Sequence, residues 1–94
     1  MFSITVNDKG IIVLTGRFDA SQVDAAREVF AKLESSAVVD FKDLDYISSA
    51  GLGVLLATQQ RLKKGGKAMK LVHMNRMVRD VFKIARFDLI FEIE

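Results

Sequence analysis

The 94-residue sequence predicts an α/β domain with the element order β-β-α-β-α-β-α-β and a mixed sheet. Two observations carry that prediction. The apolar residues change period along the chain, from short strand-like runs to spacings of three and four and back again. Between these segments lie the asparagine, serine and glycine clusters that end strands and open helices. Half of the residues are apolar and 28% are charged, the balance of a chain that buries one core. A single domain spanning residues 1–94 is expected, since there is no proline-rich, repetitive or low-complexity stretch to divide it.

Ile4 and Val6 mark a first strand ending at Asn7-Asp8-Lys9-Gly10, a turn of hairpin composition. Residues 11–15 form a second strand, stopped at Gly16 and paired antiparallel with the first. Asp19-Ala20-Ser21 opens a helix, with Ser21 and Asp24 at capping-box spacing and Val23, Ala26, Phe30 and Leu33 as its apolar stripe. Residues 37–41 read as a strand buried on both faces. Ser49-Ala50-Gly51 starts a second helix that turns Leu52, Leu55, Leu56 and Leu62 inward and stops at Lys64-Gly65-Gly66-Lys67. Residues 69–73 are the next strand. Asn75 caps a third helix whose stripe is Val78, Val81, Phe82 and Ala85, and residues 87–93 supply the last strand. Met69 belongs to the core, whereas Met74 and Met77 fall outside that third stripe and are expected at the surface. Strands joined through helices run parallel with right-handed crossovers, so helices should cover the sheet.

Composition removes several function classes. Without cysteine there are no disulfides, thiolate metal sites or thiol nucleophiles. His73 is the only histidine and follows a strand, so it reads as a structural residue, not a catalytic one. Neither a phosphate-binding Gly-x-x-x-x-Gly-Lys loop nor a full dinucleotide fingerprint is present. A nucleotide hydrolase therefore lacks its base, its phosphate loop and its metal cluster. No catalytic residue, metal or cofactor is expected. The apolar run over residues 51–57 is far below the ~20 residues that span a bilayer, so no membrane insertion is expected. The amino terminus has no signal-peptide pattern, which points to a cytoplasmic location. Net charge is only +2, yet residues 61–86 hold nine basic side chains against the single acid Asp80. The one aromatic residue there, Phe82, belongs to the apolar stripe of the third helix and is not placed to stack on bases, so the cluster reads as a solvated surface and nucleic acid is not expected.

Function in parallel sheets gathers where strands hand over to helices. Two junctions stand out, residues 16–21 and residues 43–53. The second reads Asp43-Leu44-Asp45-Tyr46-Ile47-Ser48-Ser49-Ala50-Gly51-Leu52-Gly53. A helix starting there presents backbone N–H groups without internal partners, and Gly51 and Gly53 let a ligand or modified side chain come close to them. Ser48 and Ser49 occupy the position at which an added phosphate would meet the helix terminus. The acids Asp40, Asp43 and Asp45, with Asp19 on the neighbouring junction, would repel a free phosphate ligand and suit one presented by a metal or a kinase. Tyr46 and Phe18 either stud a partner surface or cover the loop.

Residues 38–56 resemble the signature of STAS domains, in particular the bacterial anti-sigma factor antagonists. The family pattern is roughly hydrophobic-Asp-Leu-x-x-Leu-x-x-Ile-Asp-Ser-Ser/Ala-Gly-Leu-Gly-x-Leu-Leu. Gly16-Arg17-Phe18-Asp19, Gly65-Gly66-Lys67, Val81-Phe82 and Phe87-Asp88-Leu89-Ile90-Phe91 extend the likeness over nearly the whole chain, without the family's C-terminal helix. The resemblance implies a non-enzymatic partner switch. The unphosphorylated form would bind an anti-sigma factor serine kinase, phosphorylation would release it, and a metal-dependent serine phosphatase would restore it. By position the acceptor is Ser49, with Ser48 as a second candidate standing where most antagonists have aspartate. The partner surface implied comprises Asp19, Ser21, Asp43, Asp45, Tyr46, Ser48, Gly51, Leu52 and Gly53, on a monomer or weak dimer. The alternative is a STAS subunit of a transport assembly, such as a lipid ABC transporter, or of a signalling scaffold, without phosphoswitching.

Overall fold

A computed structural model describes residues 2–94. β1 (Phe2–Val6) and β2 (Ile12–Phe18) form the hairpin, and α1 (Val23–Ala31) follows a 3-10 turn at Ala20–Gln22. β3 (Ala37–Ile47), α2 (Ser49–Lys64), β4 (Met69–Val72) and α3 (Arg76–Ile84) come next. A 3-10 turn at Phe87–Leu89 leads into β5 (Glu92–Ile93). The sheet has the order β1-β2-β3-β4-β5; only β1 is antiparallel to its neighbour. The predicted element order stands.

Each parallel strand lies beside the one before it, so three right-handed crossovers advancing in one direction place all three helices on one face. That face carries Ile12, Leu14, Phe18, Val39, Phe41, Leu44, Ile47, Met69 and Leu71, all buried. The other face presents the paired rows Val13↔Asp40, Thr15↔Asp43, Arg17↔Tyr46 and Val38↔Lys70, half-buried or exposed. The expectation that residues 37–41 are buried on both faces is thus corrected. With no helix on the second face, Val38 and Asp40 alternate outward between Val39 and Phe41.

Three further boundaries differ from the sequence reading. β3 continues through Ile47, with two register shifts against β2 that absorb its extra residues. Ser21 is no helix cap; Asp19 caps the 3-10 turn instead, and α1 begins at Val23. Only residues 92–93 of the predicted last strand pair with β4, because Phe87 and Phe91 turn inward to join Phe41 and Phe82 in an aromatic cluster with centroid spacings of 5.8–6.1 Å. Met74 is buried, unlike Met77, since it leads the chain back over the core before α3. His73 has φ +62° and its Nδ1 lies 3.0 Å from Asp40 Oδ1, which fixes the end of β4.

α2 is the most deeply embedded helix. Of its predicted inward leucines it buries Leu52, Leu55 and Leu62, while Leu56 is half-buried, and it also buries Val54, Thr58 and Gln59. The Gln59 side chain accepts a hydrogen bond from the Met69 N–H at 2.8 Å and donates to the Ile90 carbonyl at 3.1 Å. One amide thus satisfies two backbone groups from different segments, which is what allows a polar residue at 1% exposure. This clamp fixes the rotation of α2, and with it the direction in which its first turn faces.

Candidate functional site

β2 and β3 end side by side, with Phe18 opposite Ile47. The next residue on each strand, Asp19 and Ser48, therefore emerges at the same edge of the sheet. The Ser48 N–H donates to the Phe18 carbonyl at 2.9 Å, tying the two strand ends together. Ser48 then takes an extended conformation, and its Oγ accepts from the Gly51 N–H at 3.1 Å. It is the N-cap of α2, with its hydroxyl committed to the helix. Ser49 is the first residue of the helix and is exposed. The two candidate serines therefore differ in kind.

Gly51 and Gly53 also differ. A Cβ at Gly51 would lie 3.0 Å from Ile47 Cγ1 and 3.1 Å from Phe18 Cγ, whereas one at Gly53 would meet nothing within 4 Å. The expectation that both glycines bare the helix amides is corrected for Gly51, which is buried, has its N–H capped by Ser48 and serves close packing of helix on sheet. Gly51→Ala should accordingly destabilise the domain by about 1–3 kcal/mol, as overpacking against a fully buried ring does. A urea midpoint equal to the parent's would show that Phe18 and Ile47 can yield.

Leu52 is likewise buried and belongs to the core, so it offers nothing to a partner in this conformation. Phe18 is fully buried, which removes it from any partner surface. The Asp19 carboxylate accepts from the Ser21 N–H at 3.0 Å and from the Ser21 hydroxyl at 2.5 Å. Those hydrogen bonds hold its pKa below the ordinary carboxylate value, with a smaller contribution from the Arg17 charge, so Asp19 is ionised at neutral pH. Asp43, Asp45 and Tyr46 lie within β3 and not in a loop. Asp43 and Tyr46 belong to the open sheet face, where Tyr46 sits under the Arg17 guanidinium at 4.3 Å. Among the described residues, no three carboxylates or imidazoles converge as metal ligands. Among the described residues the acids thus form no metal-holding set that could present a phosphate to the serines.

Sequence reasoning missed a groove of about 210 Å³ between α1 and α2, lined by Arg27, Ala31, Gly53, Val54, Ala57, Thr58 and Arg61. It begins one turn below Ser49. Its floor is small because Gly53 and Ala57 are one helical turn apart, a spacing visible in the sequence once the helix is assigned. Arg61 is not a free surface charge, since its Nη2 donates to the Phe30 carbonyl at the end of α1, at 2.8 Å. Asn75 caps α3 by accepting from the Val78 N–H at 2.8 Å and also donates from Nδ2 to the Leu44 carbonyl at 3.0 Å, which brings the start of α3 to the same edge as the serines. A larger groove of about 430 Å³, lined by residues such as Lys9, Ile11, Val38 and Met69, opens at the opposite end of the strands.

The geometry at the β3–α2 junction coincides with a family match. A family model described as "Mlab, STAS domain" covers residues 4–92. The chain belongs to the STAS-domain family. It is 39% identical over 74 residues to BtrV of Bordetella bronchiseptica, described as an anti-sigma factor antagonist. That match covers 79% of this chain and spans 58% of the length of BtrV. A Thermotoga maritima structure described as an anti-sigma factor antagonist superimposes with a TM-score of 0.81 at 20% identity, covering 98% of this STAS domain and 84% of that chain. SpoIIAA of Bacillus, in its unphosphorylated form, gives a TM-score of 0.76 at 19% identity, over 100% of this domain and 88% of that chain. Its phosphorylated form gives 0.71 at 17% identity, over 100% and 91%. At these identities the structures establish the fold, a five-stranded mixed sheet with three helices on one face.

Proposed function

We propose that this STAS domain is an anti-sigma factor antagonist that works as a phosphorylation-controlled binding module. The unphosphorylated form binds an anti-sigma factor serine kinase, phosphate on Ser49 releases it, and a metal-dependent serine phosphatase resets it. The observation that carries the reading is the division of labour between the two serines. Ser48 caps α2 through its hydroxyl, while Ser49 is exposed at the first helical position with open space at Gly53 beside it. A phosphate there adds about −1.5 to −2 charges at a surface already holding the ionised Asp19. It can be accommodated locally by the helix terminus, so binding changes without refolding.

A second reading is favoured by one observation, the absence of the family aspartate before the acceptor, where Ser48 stands. On that reading the same edge docks into a transport or scaffold assembly and is never phosphorylated. Incubation with a cognate kinase and ATP separates the two. The phosphoswitch predicts a mass increase of about 80 daltons, mapped to Ser49 and absent in Ser49→Ala. It also predicts that Ser49→Ala stays bound to the kinase in the presence of ATP. Modification of Ser48 instead would overturn the assignment, and the lack of any modification would favour the scaffold reading.

A further inference from the structure

The end of the domain opposite Ser49 carries a surface for which a switch at the serines has no use. α2 and α3 both start at the serine edge and run to that far end, where the 3-10 turn Phe87–Leu89 follows α3. There Ile84 is 83% exposed and Leu89 76% exposed. At the same end of the domain are Lys63 and Lys64 in the last turn of α2, Lys83 in the last turn of α3, and Arg86 just beyond it. The Gln59 hydrogen bond to the Ile90 carbonyl holds this part of α2 against the segment that bears Leu89. None of the four basic side chains has an ion-pair or hydrogen-bond partner among the described residues; Asp88 is the one acid in the turn.

Basic residues at helix C-termini are commonplace because they offset the macrodipole. That accounts for the lysines and not for two large aliphatic side chains held in water beside them. We infer that this end is a peripheral docking surface for an anionic lipid bilayer. Ile84 and Leu89 enter the headgroup layer as a shallow wedge, and Lys63, Lys64, Lys83 and Arg86 meet the lipid phosphates. An acidic protein would match the charge but not the shape. A conventional protein interface needs about 800 Å² of matched surface, whereas this surface offers two projecting side chains, and neither groove described above is lined by them or by the four basic residues. A soft interface accepts a convex wedge. The contact is adsorption, since no helix among the described residues is long and apolar enough to cross a membrane.

Co-sedimentation with vesicles tests this. The full chain should pellet at low salt with vesicles of phosphatidylcholine and phosphatidylglycerol in equal parts. It should stay in solution with phosphatidylcholine alone, and added salt should release it from the mixed vesicles. Ile84→Ser combined with Leu89→Ser changes only exposed positions, so its circular dichroism should match the parent's while partitioning falls at least about tenfold. Lys83→Glu with Arg86→Glu should abolish partitioning, and Ser49→Ala should leave it unchanged. Failure of the parent chain to bind the mixed vesicles, the result expected if an acidic protein is the occupant, would overturn the inference. So would unchanged binding by the aliphatic double variant, or loss of binding in Ser49→Ala.

Discussion

Phe82→Ala should remove about 3–5 kcal/mol of stability, the largest loss expected from any single truncation in this domain. Phe82 is fully buried and makes edge-on contacts with Phe41, Phe87 and Phe91 at centroid distances of 5.8, 6.1 and 5.9 Å. Those four rings join β3, α3 and the segment leading to β5, so the cavity is bounded by elements from three parts of the chain. None can collapse into it without pulling the others out of register. A domain of this size has roughly 5–14 kcal/mol in total. The variant should therefore unfold at a markedly lower urea midpoint with an unchanged slope. Met77→Ala, on the exposed side of the same helix, should change stability by less than about 0.5 kcal/mol. A loss below about 1 kcal/mol in Phe82→Ala would mean that the rings repack and that α3 is not held as described.

Under the proposed switch, Gly53→Trp should abolish binding of the serine kinase while leaving the fold intact. The helix tolerates a side chain there, because a Cβ at Gly53 has no neighbour within 4 Å and the position is already helical. An indole would fill the mouth of the α1–α2 groove and cover the approach to Ser49. Loss of a conventional interface at its centre typically costs more than about 2 kcal/mol per blocked contact, or more than about thirtyfold in Kd. Arg76→Glu with Arg79→Glu, in α3, should instead slow association modestly and flatten its salt dependence, as loss of attractive rim charges does. Calorimetry on the folded variants separates the two effects. Unchanged affinity in a folded Gly53→Trp would place the interface elsewhere and remove the basis for the proposed switch.

Helix positions were readable in the sequence because each helix buries one stripe. Ala26 with Phe30, Leu52 with Leu55, and Val78 with Phe82 recur at helical spacing, and all six are buried. The cap at Asn75 was readable for a similar local reason, since a side chain two or three residues from an orphan N–H satisfies it in any fold. The full length of β3 was not readable. Lys42, Asp43 and Asp45 look like loop residues, and only a sheet with one uncovered face lets a strand carry them. Conversely, Phe87, Ile90 and Phe91 have the composition of a strand, and the pull of the aromatic cluster turns most of that segment into a 3-10 turn.

At the candidate site the same division holds. Local sequence determined that a serine pair opens α2 and that glycines follow, because capping and backbone freedom are properties of a few adjacent residues. Tertiary structure decided which serine is free, which glycine packs and which acids stay near. Ser48 is committed by the Gly51 N–H and the Phe18 carbonyl, Gly51 by the Phe18 ring, and Asp43 and Tyr46 by the pleat that turns them onto the open face. Apart from the Gly51 N–H, three residues from Ser48, the partners in those outcomes lie about 28–33 positions away in the chain, brought alongside by parallel pairing of β2 with β3. Contacts of that separation leave no period and no motif in the sequence that makes them.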